Sequence, residues 1–396
     1  MTQQPLAGIT VLDFGQIYNG PYCGFLLAMA GARVIKIESP QGESLRGRSE
    51  TSSASYPFAM LNSNKEAITL NLKSERGREL LRGLVRKADV LLENFSPGTM
   101  DRHGVGSDAL QAINPRLIYA AATGFGRTGI HRDYLAMDIT VQAMTGVMSI
   151  TGEGDGPPLK AGPALCDFLG GIHLYGAIVT ALFQRERTGA GLVVDVAMQD
   201  AVFPTLASQI GALHFLGKHP TRNGNRHAAL SLAPYNVYRA RDGYVAIICI
   251  REGHWRNLVN AMQRPELLSD PRLADMTSRA TNMELVDTLV EAWTSTLPKA
   301  EVFRIAQAHD IICAPVQDLA DVLDDPHLLA RGMLSKQMHP MLGEAVLPST
   351  PLRFEGIVPP PLRMSRALGA DNEVVYGELL GLSPNEVAQL RAADAI

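Results

Sequence analysis

Residues 162–200, GPALCDFLGGIHLYGAIVTALFQRERTGAGLVVDVAMQD, constrain this chain more than any other stretch. A lone carboxylate, Asp167, stands three residues ahead of the pair Gly170 and Gly171. Apolar Ile172, Ala177, Ile178, Ala181 and Leu182 then recur at helical spacing. The pattern predicts a helix beginning near Leu169, with Asp167 at or just before its first turn. There, unpaired N–H groups and the positive end of the helix dipole favour an ionised carboxylate. The paired glycines let a bulky group approach the backbone. Arg185, Arg187, TGAG and a strand-like VVDV close the stretch. On these residues alone, an aspartate capping a core helix is the commoner reading.

The flanking sequence alternates strand and helix. Residues 8–14 (GITVLDF) read as a buried strand, 20–30 as a helix and 32–38 (ARVIKIE) as a second strand ending in an acid. That is the outline of a dinucleotide-binding unit, but Gly15, Gly20 and Gly24 do not make G-x-G-x-x-G, so a Rossmann-like fold with a different ligand is expected. The polar, serine-rich residues 39–63 read as a surface loop. Strands are expected at 68–72, 89–94 and 117–123, and helices at 74–87, opened by Ser74, and at 138–148, where Asp138 stands first. A long apolar helix should run from about 200 to 216.

A polar link, GKHPTRNGNRH, follows and marks a domain boundary between 217 and 228. Beyond it, a hairpin of 234–239 with 244–250 turns on Arg241, Asp242 and Gly243. Helices near 254–262, 283–295 and 300–309 and a strand at 311–315 complete a smaller α+β unit. From about 332 the chain is proline-rich and should run extended over the surface. Ser383, Pro384, Asn385 and Glu386 make a capping-box start for a final helix to about 392.

At 396 residues the length prior favours two or three domains, and 46% apolar with 19% charged residues describes an ordinary globular composition. A net charge of −4 gives no support for nucleic-acid or anionic-membrane binding. The four cysteines, Cys23, Cys166, Cys249 and Cys313, are far apart, which suggests a reduced compartment without a disulfide framework or a zinc site. Cys166 adjoins Asp167 but reads as a small buried residue. The opening MTQQPLAG lacks a basic-then-apolar pattern, and no uncharged apolar run reaches the roughly 18–20 residues of a membrane span, so a cytoplasmic enzyme is expected. P-loop, G-x-S-x-G, HExxH and kinase signatures are all missing, and the ten histidines are scattered. What remains is one carboxylate beside glycines on an α/β scaffold, and a carboxylate can attack an activated acyl group.

Several blocks then carry a resemblance, collinear along the whole chain. They are VLDFGQIYNGPYCGFLLAMAGARVIKIESPQGESLRGR, NSNKEAITLNLKSERGRELL, ADVLLENFSPGTMDRHG, NPRLIYAAATGFGRTG, residues 162–200, GNRHAALSLAPYNVYRARDGYVAI and LGLSPNEVAQLRA. Together they resemble the family III CoA-transferases (the CaiB/BaiF superfamily), which include formyl-CoA:oxalate and carnitine CoA-transferases. The resemblance implies that Asp167 is the catalytic nucleophile, acting through an aspartyl mixed anhydride and an aspartyl-CoA thioester. It implies that CoA or acyl-CoA is a substrate rather than a resident cofactor, and that no metal takes part. The CoA site would comprise Tyr18 and Asn19, then Leu70, Asn71, Leu72 and Lys73. It would continue through Asn94, Phe95, Ser96 and Arg102 to Leu135, Ala136, Met137 and Asp138. Arg102 and Lys73 suit phosphates, and Leu70 and Phe95 suit an adenine, core packing being the other reading for these two.

Two positions depart from the pattern. Ser39 stands where formyl-CoA transferase has an arginine and Leu135 where it has a lysine, and that enzyme's run of glycines has no match. The first means that some CoA contacts must differ, and the missing glycines argue against a formyl-CoA/oxalate specificity. In the related α-methylacyl-CoA racemases a histidine precedes the aspartate where this chain has Met137, and a thioether cannot be that base. The racemase reading, a catalytically silent acyl-CoA-binding protein and, distantly, an NAD-dependent dehydrogenase are the alternatives. Arg46, Arg48 and Tyr56 could hold the second carboxylate of a diacid, although a solvated loop is the commoner role for such residues. The expectation is then an α/β protein: residues 1–216 open a Rossmann-like CoA-binding domain, 225–325 form a small α+β domain, and 326–396 return to the large one. The resemblance adds an interlocked homodimer. The substrates would be acyl-CoA, with succinyl-CoA as donor, and a small mono- or C4–C5 dicarboxylic acid.

Overall fold

The computed structural model describes residues 3–47, 55–217, 222–340 and 342–396. One compact unit comprises Met1–Thr145, Ala161–Pro204 and Asp325–Ile396. Its centre is a sheet of six parallel strands: β1 Thr10–Asp13, β2 Arg33–Glu38, β3 Glu66–Thr69, β4 Val90–Glu93, β5 Ile118–Thr123 and β6 Val193–Ala197. The order β3-β2-β1-β4-β5-β6 is that of a doubly wound sheet, with its reversal of direction between β1 and β4. The principal helices are α1 Asn19–Met29, α2 Glu75–Val85, α3 Asp138–Met144 and α4 Leu165–Thr188.

The strands read as nearly continuous apolar runs because helices cover both faces. Val11, Val34, Val90, Leu92 and Ile118 pack on one side against Cys23 and Leu27 of α1 and Leu174, Ile178 and Leu182 of α4. Their neighbours Leu12, Ile35, Ile68, Leu91 and Tyr119 turn the other way, onto Leu80, Leu81 and Leu84 of α2 and Val375 and Tyr376 near the C-terminus. Ser74 caps α2 by accepting from the Gly77 N–H at 3.3 Å. The exposed edge of β3 is not left bare. Asp371 and Asn372 accept from the Ala67 and Thr69 N–H groups at 2.8 and 2.9 Å, and the Tyr376 hydroxyl donates to the Thr69 carbonyl at 2.7 Å.

The second compact unit, Gly146–Lys160 with Thr205–Asp324, carries an antiparallel hairpin, β7 Tyr235–Ala240 and β8 Gly243–Ile248, extended by β9 Ile312–Pro315. Ala240 faces Gly243 across the turn. Trp255, Leu258, Val286 and Val290 fill its core.

Several expected elements differ. Residues 39–63 are not a plain surface loop: helices Ser44–Gly47 and Ser55–Leu61 form there, and Leu45, Phe58 and Leu61 are buried. The helix expected over 138–148 stops at Met144, because Gly146 adopts φ 87 and a separate turn, Val147–Ile150, begins. The helix expected from 200 to 216 is three pieces, Met198–Val202, Phe203–Leu206 and Ala207–Leu216, broken around Pro204. The proline-rich stretch after 332 contains a hairpin, β10 Leu334–His339 with β11 Gly343–Pro348. By length and composition α4 could cross a membrane; in the structure its Leu174–Leu182 face packs on the sheet, and Arg185 pairs with Asp89 at 2.9 Å.

Candidate active site

Helix α4 begins at Leu165, four residues before the expected start, so Asp167 lies inside its first turn. The reason is a cap supplied from elsewhere in the chain. Asp138, the first residue of α3, accepts the N–H groups of Cys166 at 2.7 Å and Asp167 at 3.3 Å. Its second oxygen accepts from the Gln142 amide at 2.6 Å, while Gln142, fully buried, accepts the Ala161 N–H at 2.8 Å. A cap contributed from 28 positions away leaves no signal in the residues next to the helix start.

Asp167 is 8% exposed. Burial, and then the neighbouring Asp138 carboxylate, lift its pKa from the usual 3.8 to about 7. The adjacent Cys166 thiol is pushed up to about 12, first by burial, and is no nucleophile at neutral pH.

The glycine pair after Asp167 is needed for close helix packing. A Cβ on Gly171 would sit 2.6 Å from the Asn19 carbonyl oxygen, and one on Gly170 would collide with the Asn19 side chain. Gly15, Gly20 and Gly24, which do not form a phosphate cradle, serve the same purpose. Gly15 and Gly20 press on each other's backbone, and Gly24 lies against Asp13 and Lys65. A paired test follows. Gly171→Ala should destabilise the fold by about 1–3 kcal/mol through overpacking. Gly176→Ala, whose added Cβ meets nothing within 4 Å, should stabilise it by about 0.5–1 kcal/mol. Thermal denaturation reads both, and the opposite signs separate packing from helix propensity.

A cleft of about 540 Å³ opens at the C-terminal ends of β1, β4 and β5, the position a doubly wound sheet reserves for ligands. Asp167 is part of its lining, together with Asn19, Asn94, Phe95, Ser96, Leu135, Ala136 and Met137 from the expected site. The structure adds Gln16, Ile17, Thr123, Gly124, Thr140 and Met198, which the expected site did not include. Their common signal is position: each lies at, or just beyond, the end of a parallel strand or near the start of a helix. The Asn94–Ser96 turn is held by Glu93, which accepts the Phe95 N–H at 2.8 Å and whose carboxyl burial raises to about 7.

The other expected residues lie outside this lining. Tyr18 stacks on Phe168, ring centroids 6.0 Å apart. Leu70, expected to offer its side chain to an adenine, is 2% exposed and packed in the core. Leu72 packs beside that core, and Asn71 donates to the Asp394 carbonyl at 2.8 Å. Lys73 is exposed just beyond β3. Arg102 folds back on its own turn, donating to the Pro97 carbonyl at 3.1 Å and the Thr99 hydroxyl at 2.9 Å. Asp138 acts as the cap described above. Among the described residues that line the cleft, none is Lys, Arg or His. Arg46 is held by Glu38 at 2.8 Å and lies 4.0 Å from the Phe58 ring centroid, Tyr56 donates to the Val346 carbonyl at 2.6 Å, and Arg48 lies outside the described residues.

The sequence profile of CoA-transferase family III matches residues 6–372. A formyl-CoA:oxalate CoA-transferase of Streptomyces coelicolor is 39% identical over 417 aligned positions, covering 100% of both chains. A succinyl-CoA:mesaconate CoA-transferase of Haloarcula hispanica is 37% identical over 367 positions, covering 90% of this chain and 91% of its own. Among solved structures, a CAIB/BAIF family protein from Brucella suis superposes with a TM-score of 0.85 at 34% identity, covering 96% of this chain and 100% of its own.

Proposed function

The chain belongs to CoA-transferase family III, and on that premise we propose that it moves CoA reversibly between an acyl-CoA and a small carboxylic acid with Asp167 as covalent nucleophile. The observation that carries this is the placement of Asp167, buried in the first turn of α4 and lining the cleft at the sheet's switch point.

A carboxylate oxygen of Asp167 attacks the thioester carbonyl carbon, the C–S bond breaks, and CoA leaves as a thiolate with a mixed anhydride on Asp167. The thiolate then attacks the aspartyl carbonyl carbon, breaking the anhydride C–O bond, so the donor acid departs and an aspartyl-CoA thioester remains. The acceptor carboxylate attacks that same carbon and expels the thiolate, which takes the new acyl group from the second anhydride and restores the Asp167 carboxylate. Each step exchanges one acyl bond for another of similar transfer potential, so the cycle is balanced without an added reductant or nucleotide. CoA is a substrate throughout. Oxyanions at the two carbonyl carbons require N–H donors in a water-poor setting. Apolar Phe95, Met137 and Met198 are part of the cleft lining. The working form is proposed to be a homodimer.

Intact and peptide mass spectrometry with hydroxylamine trapping tests the reading. A donor-dependent adduct on the Asp167 peptide, absent from Asp167→Ala, is expected; binding of CoA esters without any adduct would overturn it. The pH dependence follows from burial. Only the ionised carboxylate attacks, and with its pKa near 7 the protonated form dominates below that pH. Single-turnover acylation should therefore rise about tenfold per pH unit up to about 7 and level off above it.

A further inference from the structure

One residue of the cleft is held in a conformation its own side chain opposes. Ile17 has φ 63, the left-handed region that a β-branched residue avoids because its Cβ crowds the backbone. Glycine or asparagine would sit there at far lower cost.

The surroundings impose the conformation from both sides. All four backbone polar atoms of the two preceding residues are gripped. Asp13 accepts the Gly15 N–H at 2.7 Å, the Lys36 ammonium donates to the Gly15 carbonyl, and Asn94 accepts the Gln16 N–H at 2.7 Å and donates to the Gln16 carbonyl at 2.9 Å. Two of the clamps are themselves fixed by buried ion pairs, Asp13 with Lys65 at 2.7 Å and Lys36 with Glu43 at 3.2 Å. On the far side, Tyr18 stacks on Phe168, the residue after Asp167, and Asn19 packs on Gly170 and Gly171. Strain of this kind persists only where the surrounding structure over-determines it, and it gathers at functional sites.

Ile17 is half-buried and lines the cleft with Asp167. We infer that Ile17 is a specificity-determining residue: its branched side chain, lining the same cleft as Asp167, is the wall that limits the acyl group of the CoA ester to short, unbranched chains. This rests on the reading of Asp167 as the acyl acceptor. A plain turn would need no side chain at this position, whereas a wall needs a stiff, branched one whose χ1 is restricted.

The test compares wild type with Ile17→Gly, Ile17→Asn and Ile17→Val. It uses a series of acyl-CoAs from acetyl- to hexanoyl-CoA together with isobutyryl- and succinyl-CoA, and reads kcat/KM, Asp167 labelling and Tm. In Ile17→Gly the ratio of kcat/KM for hexanoyl- or isobutyryl-CoA over acetyl-CoA should rise at least tenfold, with Tm unchanged or higher because the strain is released. Ile17→Asn, which also accepts the left-handed region, should shift the ratio the same way and serves if the glycine variant folds poorly. Ile17→Val, stiff and branched, should retain the wild-type profile. Size profiles of the glycine and asparagine variants parallel to wild type within twofold, with Asp167 labelled in all, would overturn the role of Ile17 and leave the transferase reading intact. A wild-type chain that no acyl-CoA labels at Asp167 would overturn both.

Discussion

Asp167→Asn is expected to lower kcat for acyl transfer by at least about 10⁴-fold, because an isosteric amide keeps the shape of the site and removes the group that forms the covalent bond. Stopped assays with a CoA ester and an acceptor acid measure it. Asp167→Glu, which moves the carboxylate by a methylene within a buried site, should lose about 10²-fold. The same substitution to asparagine should raise thermal stability, and the sign can be fixed from the titration. A carboxyl whose folded pKa, about 7, lies above its usual 3.8 contributes stability that is complete below 3.8 and is lost as pH rises through 7. At pH 8 the wild type carries a buried, ionised carboxylate facing Asp138; the asparagine variant carries none. The variant should therefore gain more over wild type at pH 8 than at pH 5, by up to about 3 kcal/mol, the two pH units from 5 to 7 at roughly 1.4 kcal/mol each. A Tm difference that is flat with pH would show that Asp167 titrates as an ordinary carboxylate.

Asp138→Ala should be the next most damaging change. Asp138 accepts the N–H groups of Cys166 and Asp167 and is itself held by Gln142, so its loss strips the first turn of α4 of its cap and frees the orientation of the nucleophile. A fall in kcat of about 10²-fold is expected, with KM for the CoA ester changed little. Asp138→Asn separates the two contributions of this residue. It keeps an oxygen for the N–H groups but drops the charge that helps to raise the Asp167 pKa, so the acid limb of the pH profile should move to lower pH. The deficit of Asp138→Asn relative to wild type should then be smaller at pH 6 than at pH 8, since the wild-type nucleophile is mostly protonated at pH 6. Glu93 titrates in the same range but is unaltered by the substitution, so a limb that stays at 7 would leave burial of Asp167 or Glu93, and not the Asp138 charge, as its source.

Much of this was legible in the order of residues. Runs such as GITVLDF and DVLLEN form strands at their centres, Thr10–Asp13 and Val90–Glu93, and Ser74 and Ser383 cap the helices they were expected to cap, because these signals act over one turn or one strand. The carboxylate beside paired glycines marked the residue around which the cleft forms. The glycines, however, admit Asn19 and Tyr22 of a neighbouring helix rather than a ligand. Buried Leu45 and Phe58 hide in a serine-rich stretch whose composition reads as a loop.

The sequence by itself therefore determined most strands and helices of the sheet and the parallel α/β class, set by short-range pattern, while Asp167 was singled out as a nucleophile through the family resemblance rather than by its local pattern. Only the tertiary structure decided that Asp138 caps a helix 28 residues away, that Gln142 joins that cap, and that Asn94, 78 residues beyond Gln16, locks the loop that forces Ile17 into its strained form. Those contacts depend on strand order and on which faces of distant segments meet. Hydrophobic periodicity says which face of an element is buried, but not what it is buried against.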